Sequence, residues 1–271
     1  MGKLLGRHQR GSLANRVALS GQVKKLVSDK AVRRRRSMID FAKTIHDHEL
    51  SWTLNQDTEI HTILVWHTAT WFCASARTED EEFQTEATAW RCKVATELSS
   101  YCAYLVAFHP ELLPGHHTIT TSIFDTDVKE AEVIFQGTTS PDERYKRVQR
   151  FVGSIQDFYE RIQGSSDHGI HIQGFLLGRQ LMDMDDGNGS YCWEIMADFW
   201  AEMLLLVAQS DNATAHIEHL AQGGEFVTHL WALLYNAGMH KDRIYIGRNK
   251  DDGKKSRKAF QGKGKGKGLA K

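Results

Sequence analysis

The sequence predicts an all-α protein: a single irregular bundle of about seven to nine helices, with disordered basic termini. Three observations carry this. Apolar residues recur at steps of three and four from residue 59 to residue 238. Only three prolines, Pro110, Pro114 and Pro141, interrupt 271 residues. Alternating β-branched runs, which mark strands, are scarce.

Residues 1–15 carry Gly, Arg and Gln without periodicity and read as disordered. A helical domain is expected over 16–240, beginning with a helical stretch within 16–50. A helix from about Glu59 to Arg77 follows, with Ile60, Ile63, Leu64, His67, Trp71 and Ala74 on one face. A second covers about 79–108, striped by Trp90, Val94, Leu98, Tyr101, Leu105 and Phe108. It ends at His109-Pro110, because the residue before proline is pushed out of the helical region. Thr118–Phe124 alone has strand-like composition, and it is too isolated to build a sheet. A helix is read over about 127–136. Pro141, behind Ser140 as cap, opens another that reaches about Gln163 on Tyr145, Val148, Val152, Ile155, Phe158 and Ile162.

A short helix is expected over 170–182 and a longer one over 190–209. In the latter, Trp193, Met196, Trp200, Met203 and Val207 step by three and four, while Glu194, Asp198 and Glu202 are read as its water-facing side. Gly223-Gly224 separates helices over 212–222 and 225–238. Phe226, His229, Leu230, Leu233, Leu234 and Ala237 are read as the inner face of the last. Residues 241–271, with the run Gly262–Gly268 of alternating Gly and Lys, read as a disordered tail.

The formal net charge is zero, yet the charges are segregated. Residues 1–36 hold eleven Lys/Arg against the single acid Asp29, and 241–271 hold twelve against three. The middle keeps eleven basic and thirty acidic groups, giving an acidic body with cationic arms. Such arms suit weak, salt-sensitive contact with anionic membrane or nucleic acid, or with the acidic body itself. Arg33–Arg36 reads as a solvated face more than as a targeting or phosphate patch. No run of eighteen apolar residues occurs. Cys73, Cys92, Cys102 and Cys192 lie far apart without a C-x-x-C pair and read as small buried hydrophobes in a reducing compartment.

Fourteen histidines raise the question of a metal. His216 and His219 lie three apart on one face, His46-Asp47-His48-Glu49 is a dense ligand run, and His61 and His67 fall in the first core helix. Zinc needs three or four such groups converging. His46-Asp47 is similar to the dipeptide of helical metal-dependent phosphohydrolases, but the upstream partner would have to be His8, in the tail. His67 and His229 lie on apolar faces, where a core histidine with one hydrogen bond is the commoner reading. H-E-x-x-H, G-x-S-x-G and phosphate-loop signatures do not occur.

Three segments together carry a family resemblance. They are Ile63–Thr70 (ILVWHTAT); Leu98–Val106 with Pro110–Pro114; and Trp193–Met196, Trp200–Leu204, His216, Gly223–Thr228 and Trp231. They resemble the plant domain-of-unknown-function family five-nine-four, over roughly residues 59–238. Family members usually follow a membrane segment, the domain of unknown function four-two-two-zero. The resemblance implies a plant source and a helical domain, with no catalytic residue to carry over. The membrane segment is absent here, which would make the chain a soluble or truncated relative. Asn236 stands where the family pattern often has His.

The expectation is an uncharacterised, non-enzymatic helical interaction domain, cytoplasmic or membrane-associated, with the nucleus open. It would have an unidentified protein partner, no small-molecule substrate, no cofactor, and no catalytic or metal-ligating residue. Trp66, Trp193, Trp200 and Trp231 are read as core anchors, and His67, Thr70, His216 and Thr228 as polar pins. The alternative is a metal-dependent hydrolase using a His/Asp/Glu cluster.

Overall fold

The computed structural model describes residues 17–32, 45, 50–76, 85–159, 169–184 and 190–239. Its described helices are α1 (21–32), α2 (Glu59–Ser75), α3 (Glu86–Phe108), α4 (His117–Ile134), α5 (Pro141–Tyr159), α6 (Ile170–Asp183), α7 (Ser190–Val207), α8 (Ala213–Ala221) and α9 (Phe226–Asn236). Short 3-10 turns occupy Ser51–Leu54 and Pro110–Leu112. The architecture is all-α, with no strand among the described residues. No helix of the described residues is long and apolar enough to cross a membrane. The disordered ends expected over 1–15 and 241–271, the Arg33–Arg36 run and His46–Glu49 lie outside the described residues.

Helix α2 is the central post, with α3 and α6 packed along it. It buries Ile60, Ile63, Leu64 and His67 as expected, and also Val65, Trp66, Thr68, Ala69, Thr70, Phe72 and Cys73. Burial on nearly every side explains why its apolar residues form no narrow stripe. Thr58 caps its start by accepting the amide N–H of His61.

Helix α6 approaches α2 through two glycines one turn apart. A Cβ at Gly174 would collide with the Thr68 side chain and come within 2.7 Å of the Val65 carbonyl oxygen. A Cβ at Gly178 would meet the Phe72 ring at 2.8 Å. The missing side chains let the backbones close until the Cys73 thiol reaches the Gly178 carbonyl oxygen at 3.4 Å.

Helix α7 packs on α3 and completes the main core. Trp193, Met196, Trp200, Met203 and Val207 are buried, as the pattern predicts. Trp66 stacks on Phe199 with centroids 3.7 Å apart and planes 9° from parallel. Glu202 corrects the expected polar side: it is buried, with Lys30 of α1 at 3.3 Å. Helix α1, with Val23, Val27 and Ala31 in the core, covers that face of α7.

Thr118–Phe124, strand-like in composition, is helical and belongs to α4, which starts ten residues before the expected 127. Thr121 donates to the His117 carbonyl oxygen and Thr126 to that of Ser122. Their hydroxyls thus bond one turn back, while Thr120, Phe124, Val128 and Ala131 recur on the buried face. A smaller core of Phe72, Ala131, Phe135, Val148, Val152 and Phe175 joins α2, α4, α5 and α6.

The helix ends follow local chemistry. Ser140 accepts the Glu143 amide while the Glu143 carboxylate accepts those of Thr139 and Ser140, a capping box that opens α5. His109 leaves helical geometry at φ −134°, ψ 50°, so α3 stops before Pro110. Gly223 and Gly224, at φ 95° and 65°, turn the chain between α8 and α9. The inner face of α9 is Val227, Thr228, Leu230, Trp231 and Leu234. His229, Leu233 and Ala237, expected inside, are exposed, because Glu225 rather than Phe226 sits at the buried entry to the helix.

Candidate functional site

The histidines divide into packed rings and one half-buried cluster. His67 lies in the core with Nδ1 2.8 Å from Ser99 Oγ, the single hydrogen bond expected of a structural histidine. Burial lowers its pKa to about 3, so the ring is neutral. His216 is fully buried and stacks on Trp231 at 4.9 Å with planes 4° apart. Burial lowers it to about 4. His216 does not join His219, although they share a helix. His61 bonds the Thr58 hydroxyl at 2.9 Å, beside its own helix cap. His229 bonds the Glu225 carbonyl oxygen at 2.9 Å.

The tryptophans and threonines act as the pattern predicts. Trp66, Trp193, Trp200 and Trp231 are all buried. Thr228 donates to the Glu225 carbonyl oxygen at 2.7 Å. Cys73, Cys102 and Cys192 are buried, and Cys92 is half-buried. Burial pushes the Cys102 thiol up, away from thiolate reactivity.

A buried polar group that sequence reasoning missed lies between α4 and α6. His171 Nδ1 sits 3.0 Å from Asp127 Oδ1, both nearly inaccessible. Burial also raises the pKa of neighbouring Glu130. Gly169 at the head of α6 lets that carboxylate come in where a Cβ would collide with it, next to the positive end of the helix.

The half-buried cluster gathers the end of α3, the Pro110–Leu112 turn, α8 and the entry to α9. His109 Nδ1 lies 3.3 Å from Glu111 Oε1, and His219 Nε2 lies 3.0 Å from the same oxygen. The two imidazoles meet edge to face at 5.0 Å. His109 Nε2 lies 2.8 Å from the Tyr104 hydroxyl, which donates to Glu225 Oε1 at 3.2 Å. Tyr101 donates to Glu225 Oε2 at 3.5 Å and accepts the Val227 amide at 3.0 Å. Burial alone would raise the Glu111 carboxyl, but hydrogen bonds from His109, from its own backbone amide and from His219 outweigh it and hold the group below the usual carboxylate range. Of the three, His219 is the sequence candidate, whereas His109 enters the sequence reading as a helix end and Glu111 only within the Pro110–Pro114 segment of the resemblance. The signal available was the spacing His-x-Glu at a proline turn, which puts two donors on one side of a tight bend.

Part of this cluster lies in a stretch that is similar to a known family. Residues 185–239 match the model of a family described as protein of unknown function, DUF594. The match covers 55 of the 271 residues. It spans α7, α8 and α9, and supplies His219, Glu225 and Tyr101's partner Val227. The segments Ile63–Thr70 and Leu98–Val106 with Pro110–Pro114, which carried part of the resemblance, precede the matched residues and pack against them: Thr70 bonds Trp200, and Tyr101 bonds Val227. No curated protein matches the chain. No solved structure matches it.

Proposed function

We propose that this DUF594-containing chain is a non-enzymatic helical interaction domain that binds a protein partner, in the cytoplasm or at a membrane surface. The observation that carries the reading is the use of its chemistry-bearing residues in packing. His67 is spent on Ser99, Thr70 on Trp200, and His216 on Trp231. Burial in the core lowers the pKa of His67 and His216 and keeps both rings neutral.

The surface favoured for the partner is the end built by α3, α8 and α9. Phe108 on α3, Ile217 on α8, and Leu233 and Tyr235 on α9 are large apolar residues between 44% and 59% exposed. Aromatic and aliphatic anchors of this kind, set beside polar groups, are the usual centre of a protein interface. The test compares captures by the intact chain and by an Ile217→Glu/Leu233→Glu variant, with Val133→Glu on α4 as control. A partner retained by wild type and control but lost by the double variant supports the reading. Identical captures by all three would overturn it.

A further inference from the structure

We propose that His109, Glu111 and His219 form a zinc site with a fourth position open to solvent. One ligand atom from each residue lies within 4.8 Å of the others. The two shorter separations, 3.3 Å and 3.0 Å, both converge on Glu111 Oε1. Ligand atoms held about 2.0–2.1 Å from a tetrahedral zinc stand about 3.3 Å apart, so these edges already fit. Two imidazoles and one carboxylate with an open position is a donor set that suits zinc over harder cations.

The surroundings of His109 suit this role. Its Nε2 lies 2.8 Å from the Tyr104 hydroxyl, so Nδ1 is the ring nitrogen turned toward Glu111. Behind His109, Tyr104 and Glu225 hold the ring orientation, the outer support that metal-bound histidines commonly have. The site ties the end of α3 to α8, and it stands or falls independently of the interaction reading.

The test is zinc titration of the metal-stripped full chain by calorimetry, with cobalt substitution to read geometry. One equivalent of zinc, a tetrahedral cobalt spectrum, and affinity reduced about tenfold or more in Glu111→Gln, His109→Ala and His219→Ala are expected, with His229→Ala unchanged. Tyr104→Phe is expected to weaken binding by about tenfold through the outer support. Circular dichroism checks each variant. Glu111→Gln, nearly isosteric, decides the matter if a histidine variant fails to fold. Absence of stoichiometric binding, equal affinity across the ligand variants, or cobalt bands showing thiolate ligation would overturn the proposal.

Discussion

Trp200 donates its indole N–H to Thr70 Oγ1 across 2.9 Å, and Thr70 passes its own proton to the Trp66 carbonyl oxygen at 2.8 Å. One hydroxyl thereby satisfies a buried donor on α7 and fastens it to α2. Thr70→Val keeps the shape and removes the acceptor, leaving the indole N–H buried and unbonded. The expected loss is about 1–3 kcal/mol, against a smaller loss for Thr70→Ser. Urea unfolding of both variants checks this. Equal stability of the two would show that the bond contributes nothing.

The α2–α6 contact depends on residues that have no side chain. Gly174→Ala places a methyl group against the Thr68 side chain and a fixed carbonyl, so a loss of about 1–3 kcal/mol is expected. Gly21→Ala, on α1 with nothing within 4 Å, is expected to be neutral or to stabilise by up to about 1 kcal/mol. Thermal midpoints moving in the same direction for both substitutions would contradict this account.

Stability should fall on mild acidification because of the neutral buried histidines. An unfolded histidine titrates near 6.5, whereas burial holds His67 at about 3 when folded. Between these values the unfolded chain binds the extra proton, so stability present above 6.5 is lost as pH drops, by about 1.4 kcal/mol per pH unit for His67. His216, lowered to about 4, acts in the same sense. Glu130, raised by burial, acts in the opposite sense, its contribution lost as pH rises through its folded value. Comparing urea midpoints of wild type and His67→Gln between pH 6.5 and 5 isolates the His67 share. The variant's slope should be shallower, and parallel slopes would exclude the mechanism.

Lys30 stands between Asp198 at 2.7 Å and the buried Glu202 at 3.3 Å. Lys30→Met removes that cation from a carboxylate out of reach of water. A loss of about 2–3 kcal/mol is expected, below the range for fully buried pairs because Lys30 is one-fifth exposed. Adding Glu202→Met should recover part of it. A double variant less stable than Lys30→Met would mean that the pair is not what holds Glu202 inside.

Local signals were readable in the sequence, and tertiary ones were not. Ser140-Pro141-Asp142-Glu143 announced the start of α5, His109-Pro110 the end of α3, and Gly223-Gly224 the turn before α9. These depend on residues within one turn of each other. Thr118–Phe124 misled because β-branched composition is a weak preference, overridden once Thr120 and Phe124 face the core and other hydroxyls bond back along the helix. Glu202 misled because its cation comes from Lys30, far away along the chain. The His109–Glu111–His219 cluster spans more than a hundred residues, so no window of sequence contains it. The Gly174-x-x-x-Gly178 spacing was visible, and its use as a helix contact became evident only with α2 beside it.

The burial of α7 on nearly all sides bears on how the recognisable family stretch can be handled. Cut out alone, residues 185–239 would lay bare Trp193, Phe199, Trp200 and Leu204, whose neighbours on α2 and α3 come from earlier in the chain. Such a fragment would be expected to clump rather than stand by itself. The stretch, 55 of the 271 residues, is better regarded as part of a shared core than as a portable unit, and any expression or fusion strategy has to carry α2 and α3 along with it.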